Sequence, residues 1–161
     1  MAVDMFMKIG DIKGESGDKQ GHGGEIDVLA WSWGATNSGS SHTGGGSGSG
    51  KVKVQDLSFT KWMDSSSPVL FLHCCNGKHH PEATLVVRKA GEKPLEYMKV
   101  KMSDVMITAY STGGSNGEDR LTENVTLNFA KVDVTYTPQA AKGAGEGAVA
   151  MAWDIKGNIK V

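Results

Sequence analysis

Residues Leu121–Thr137 read LTENVTLNFAKVDVTYT, and the spacing of apolar side chains in this stretch decides the fold. Val125, Leu127 and Phe129 alternate on one face of an extended chain, whereas Val132, Val134 and Tyr136 follow with the opposite phase. In a flat sheet such a slip turns the apolar set out to water. A β-bulge at Ala130-Lys131 absorbs the extra residue and bends the strand. The same slip occurs twice more. Met98, Val100 and Met102 give way to Val105, Ile107 and Ala109 across Ser103-Asp104, and Val52 and Val54 give way to Leu57 and Phe59 across Gln55-Asp56. Repeated bulging curves a sheet until its edges meet, so the expectation is a mainly β fold, a closed antiparallel barrel rather than an open sandwich.

Outward from these strands, Val3, Met5, Met7 and Ile9 alternate with polar neighbours and predict a first strand. Glu25–Gly34 (EIDVLAWSWG), Lys51–Trp62, Thr84–Lys89, Leu95–Tyr110 and Val149–Val161 predict others. One short helix is expected over about Pro68–Cys75. Ser65 to Ser67 offer caps, Pro68 suits a first turn, and Gly77 supplies the left-handed stop. Residues 37–50 (NSGSSHTGGGSGSG) hold six Gly and five Ser in fourteen positions, which makes them an extended loop with no core role. The whole chain, residues 1–161, reads as one domain.

Composition narrows the function. With 17 Lys+Arg against 18 Asp+Glu the net charge is −1, which gives no field to hold nucleic acid or an anionic membrane surface. Gly, at 22 of 161 residues, is about twice its usual ~7%, as a turn-rich β protein requires. The two cysteines, Cys74 and Cys75, are adjacent and build no disulfide framework. Asp4 and Asp11 interrupt the N-terminal stretch MAVDMFMKIGDIKG, so it is no signal peptide, and no apolar run is long enough to insert in a membrane. The expectation is synthesis in a reducing cytoplasm and, on export, a route that reads no N-terminal signal.

No motif carries catalysis. Gly45 to Lys51 (GGSGSGK) matches the G-x-x-x-x-G-K part of a P-loop, but Val52 stands where the magnesium-binding Ser or Thr belongs. A strand follows instead of the helix whose N-terminus would face the phosphates. His73, Cys74, Cys75, His79 and His80 form the one metal-like group, yet adjacent cysteines on a helix point about 100° apart and no second ligand pair accompanies them. Trp31 and Trp33 share a strand face and suit a core or a subunit interface better than a sugar platform. The reading is of a non-enzyme, with neither cofactor nor metal.

The segments MAVDMFMKIGDIKGES, EIDVLAWSWG, GKVKVQDLSFTKW and STGGSNGEDRLTENVTLNFAKV resemble, in order and over nearly the whole chain, the Hcp (haemolysin-coregulated protein) family of type VI secretion. The sequence departs from that pattern at Lys19–Gly24, at Cys74-Cys75 and at His79-His80. The resemblance implies a β-barrel with one flanking helix that assembles as a homo-hexamer. Its rings stack into the inner tube of a contractile machine, and the tube is expelled with small secreted effectors held in its lumen. The contractile sheath, the baseplate and the spike are the implied partners.

The resemblance also implies residue roles. Residues 37–50 are similar to the family's extended loop, which projects towards the neighbouring ring. Asn37, Ser38, Gly39, His42, Gly45, Gly46, Ser47 and Gly48 are therefore the inter-ring candidates. On the strand around Trp31, one face reads Leu29, Trp31, Trp33 and the other Val28, Ala30, Ser32, Gly34. The large face is expected in the wall or a subunit contact. The small face, with Ser32, and the turn residue Ser115 are the candidates for the lumen. The alternative is a monomeric β-barrel module that binds a small ligand or carbohydrate through Trp31, Trp33 and the Gly-rich loops; it needs one concave pocket rather than self-complementary patches.

Overall fold

The computed structural model describes residues 2–39, 50–139 and 147–161. The chain is mainly β. In order it forms β1 (Val3–Ile9), β2 (Ile26–Asp27), β3 (Ala30–Ser32), β4 (Ala35–Thr36), β5 (Lys53–Val54), β6 (Leu57–Trp62), α1 (Ser67–Asn76), β7 (His79–Lys89), β8 (Leu95–Thr112), β9 (Thr122–Tyr136), β10 (Val149–Asp154) and β11 (Ile159–Lys160). The main sheet runs β11-β10-β9-β8-β7-β1-β2, with β6 paired to β9 and β3 paired to β6. All these pairings are antiparallel.

The phase slips expected in β8 and β9 are real but are not bulges, and β7 has one at the same level. In β8, Met102 and Val105 are both buried; in β9, Phe129 and Val132 are both buried; in β7, His80 and Ala83 are both buried. Pairing stays in register through all three, with Glu82 opposite Ser103, His80 opposite Val105, Ser103 opposite Lys131 and Val105 opposite Phe129. Each strand therefore spends its extra residue at the same level, and the sheet creases along one line instead of slipping. Asp104 marks that crease with φ 53°, a left-handed value that Asp tolerates better than most side chains. True register shifts lie elsewhere, between Val87 and Arg88 opposite β8, and between Ile107 and Ala109 opposite β9. The third expected bulge, Gln55-Asp56, is where the chain leaves β5 and enters β6. There the Asp56 carboxylate accepts from Thr108 Oγ1 (3.1 Å) and Asn128 Nδ2 (2.9 Å), which fixes the break beside the β8 shift.

Among the described residues the hydrogen-bond ladder is not an unbroken ring. The segment Ile26–Ser32 spans the gap by changing partner. Its first half lies on β1, with Val28 N–H donating to Met5 O (2.9 Å). Its second half lies on β6, with Leu29 N–H donating to Thr60 O (2.8 Å). The change of partner shifts the phase, so Val28 is buried and Leu29 is exposed, the reverse of the even alternation expected there. The single strand expected over Val149–Val161 is instead the hairpin β10–β11. Asp154 Oδ1 accepts from Gly157 N–H (2.9 Å), and Asn158 turns the chain at φ 55°. Strand β7 begins at His79, five residues before the expected Thr84, because His79 and His80 pair with Met106 and Val105.

The helix spans Ser67–Asn76, one residue longer at each end than expected, and ends on Gly77 at φ 66°. Its flanking Ser66 makes no side-chain cap; that hydroxyl donates to Asp64 Oδ1 instead. Leu70 and His73 face the core, while Val69, Phe71 and Leu72 are exposed. The core itself collects Met7, Ile9, Ile26, Leu57, Phe59, Leu85, Val100, Met102, Val105, Ile107, Val125 and Leu127.

Candidate functional site

Residues directly opposite on paired strands share a face, so the registers define what the sheet presents to solvent. Ser32 lies opposite Ser58, Ser58 opposite Thr126, and Thr126 opposite Ala109. One row further on, Ala30 lies opposite Thr60, Thr60 opposite Asn124, and Asn124 opposite Ser111. All eight side chains are small and uncharged, and all are exposed or half-buried. They bond one another across the strands, through Ser58 Oγ and Thr126 Oγ1 at 2.9 Å and from Thr60 Oγ1 to Asn124 Oδ1 at 2.7 Å. Ser115 lines a cleft together with Ser111, Thr122 and Asn124, so the turn that carries it opens onto the same face as Ser32. Beyond the crease the solvent side of β7 to β9 is charged, with Glu82, Lys99, Lys101, Lys131 and Asp133.

Behind that face lies a buried polar group that sequence reasoning missed. Lys61 on β6 pairs with Glu123 on β9, and neither side chain reaches solvent. Lys61 Nζ also donates to Asp64 Oδ1 (3.0 Å) and to Trp62 O (2.8 Å). Glu123 accepts from Ser67 Oγ (2.6 Å) and from Tyr110 O–H. Burial, and then the bond to Glu123, push the Tyr110 phenol up to about 12. The network pins the start of α1 to two strands, and every charge in it has a partner, as burial demands. A signal for it existed: Lys61 continues the phase of Leu57 and Phe59, and Glu123 precedes Val125 and Leu127 in theirs. Beside the network a groove of about 370 Å³ opens between Met63, Pro68, Phe71, Tyr110 and Thr112.

The other expected residues sort as follows. Trp31 and Trp33 are half-buried and pack on the core, Trp33 tilted against Phe129 at 6.2 Å and donating through Nε1 to Gln55 O (2.9 Å). Neither lies bare as a stacking platform. Trp33 walls an apolar cleft of about 230 Å³ with Ala35, Val52, Val54, Met151 and Trp153. Asn37, Ser38 and Gly39 are exposed beyond the small two-stranded sheet of β4 and β5, and Gly50 N–H returns to Ser38 O (3.2 Å). His42, Gly45, Gly46, Ser47 and Gly48 lie outside the described residues. Of the His/Cys group, His73 Nδ1 and His80 Nε2 are 3.1 Å apart and buried, whereas Cys75 and His79 are exposed. Burial, reinforced by His73, holds the His80 imidazole below the ordinary histidine value. Among the described residues no three His, Cys, Asp or Glu converge as a metal site. No helix there is long and apolar enough to cross a membrane.

Comparison with known proteins agrees with this architecture. Residues 6–136 match the family described as "Type VI secretion system effector, Hcp". The chain is 60% identical over 162 residues to Protein hcp1 of Pseudomonas aeruginosa, covering 99% of each sequence. A solved structure described as that of a type six secretion system protein superposes with a TM-score of 0.94 at 29% identity, over 99% of this chain and all of that one. Hcp1 from Salmonella typhimurium superposes with a TM-score of 0.81 at 40% identity, over the whole of both chains. A family match over most of the length, joined to a relative this similar from end to end, means that the chain belongs to the Hcp family of type VI secretion system proteins.

Proposed function

We propose that this chain, acting as one domain, is the structural subunit of the inner tube of a type VI secretion machine. It forms hexameric rings that stack, are exported from the bacterial cytoplasm, and hold small effectors in their lumen. The observation that carries the reading is the uncharged face of small side chains shared by β3, β6, β9 and β8. Six such faces turned inward give the wall two rows of side chains that are neither long nor charged, which lets cargo pass there without snagging. Ser32 and Ser115 stand on this wall. The loop that leaves β4 at Asn37, Ser38 and Gly39 reaches the next ring, and the sheath, baseplate and spike meet the assembled tube. A glycine-rich loop loses conformational entropy when it docks, so isolated rings associate weakly until the machine assembles them.

The proposal excludes catalysis by the ring itself. The rival, a monomeric β-barrel module for a small ligand or carbohydrate, needs a bare stacking platform, whereas Trp31 and Trp33 pack on the core and the Trp33 Nε1 is spent on Gln55 O (2.9 Å). Negative-stain images of the purified protein test the reading. Closed rings with an open centre support it, and featureless particles of single-subunit size contradict it.

A further inference from the structure

The chain between Gly14 and Glu25 is an irregular strap over the outer side of β1. Its inner bonds run from Gly14 N–H to Gly24 O (2.8 Å) and from Ser16 N–H to Glu25 O (2.9 Å). Towards the helix, Glu15 Oε2 accepts from Ser65 N–H (2.8 Å). On the other side it is held at two points. Asp18 accepts two bonds from Arg88 on β7, at 2.8 and 3.2 Å. The second point is His22, nine-tenths buried, whose ring stacks on Phe6 with centroids 4.6 Å apart and planes 10° from parallel.

His22 Nδ1 lies 2.9 Å from Glu25 Oε2, and Nε2 lies 2.5 Å from Glu96 Oε1 on β8. An ionised carboxylate only accepts, so both ring nitrogens must donate, and only the imidazolium has two N–H groups. We propose that His22 is a proton-held latch: charged, it clamps the Gly14–Glu25 strap to β8, and losing its proton releases the strap. A neutral ring turns one lone pair towards a carboxylate, which costs the bond and adds repulsion.

The surrounding charges support the charged form. Facing the latch are Glu25 and Asp18 from the strap itself, the latter accepting from the His22 backbone N–H (3.0 Å). Glu96 comes from β8, with Lys99 3.7 Å from its other oxygen. Arg88 of β7 lies 4.9 Å over Phe6 and bonds Asp4 of β1 as well as Asp18. Four carboxylates thus meet two basic side chains, Lys99 and Arg88, and the imidazolium is the third cation. Burial by itself favours the neutral ring, but the bonds to Glu96 and Glu25 outweigh it and raise the histidine above its ordinary value. Arg88 does not titrate, so the Asp18 end stays fastened and only the His22 end opens.

Hydrogen exchange of the full purified chain tests this at about pH 6 and about pH 9, either side of the ordinary histidine value of ~6.5. After correction for the chemical rate, protection across residues 14–25 should fall by about tenfold or more at the higher pH, while β8 and β9 keep theirs. In His22→Gln the strap should exchange at one rate at both pH values. In Glu96→Gln, a milder change at the more exposed partner, the loss should begin at lower pH. Equal wild-type protection at both pH values, an unchanged pH dependence in His22→Gln, or an unmoved midpoint in Glu96→Gln would overturn the latch.

Discussion

Lys61 and Glu123 face each other across β6 and β9 with both side chains fully withdrawn from water. The pair stands where the strand phase demands apolar residues, so its charges are tolerated only because each has further partners in Asp64, Ser67 and Tyr110. Removing one partner strands the other charge in the interior. Glu123→Leu or Lys61→Met alone should therefore cost about 3–5 kcal/mol, measured by urea unfolding. The double variant should recover most of that loss, because no charge remains to be left alone.

His80 gives acid sensitivity of a defined sign. Its folded-state value lies below the ordinary one, through burial and then through His73. Above the unfolded value of ~6.5 the ring is neutral in both states, and no penalty arises. As pH falls through that value, the unfolded chain takes up a proton that the folded chain refuses, so stability drops until the folded value is passed. Thermal unfolding at about pH 7.5 and about pH 5 should show wild type losing more stability than His80→Gln over that interval. An equal loss in both proteins would show that His80 is not the group responsible.

Gly10 sits against the same histidine. Its φ is 52°, and a Cβ added there would lie 2.8 Å from His80 Nδ1. Gly10→Ala combines backbone strain with a steric conflict and should cost about 1–3 kcal/mol. Shortening the neighbour with His80→Ala should reduce that cost, and the double-mutant cycle measures by how much.

Much of this fold was legible in its apolar spacing. Met98 to Ala109 and Val125 to Tyr136 show where the chain changes phase, and the structure does change phase there. What one strand cannot reveal is that its neighbours do so at the same level. The crease at Ser103-Asp104 depends on Pro81-Glu82 and Ala130-Lys131 lying beside it, which is a matter of pairing, not of local sequence. The division of Glu25–Gly34 into β2 and β3 was hidden for the same reason: its two halves answer to different strands. Of the site, Ser32 was legible as a small residue on a small face. The contributions of Ser58, Thr60 and Asn124 to that face needed the register.

The small face makes a prediction about cargo. Ser32→Gln or Ser115→Gln replaces an exposed small side chain by a longer one, which should change stability by no more than about 0.5 kcal/mol. Within a ring the added length is repeated in every copy and narrows the channel. Co-purification of a small effector should fall for both variants while their oligomeric state stays that of wild type. Intact rings that keep their cargo would remove these two serines from the lumen.

The central claim is assembly, and native mass spectrometry of the purified chain at micromolar concentration tests it most directly. The account predicts a dominant species of six copies. A predominantly monomeric spectrum under the same conditions would contradict it.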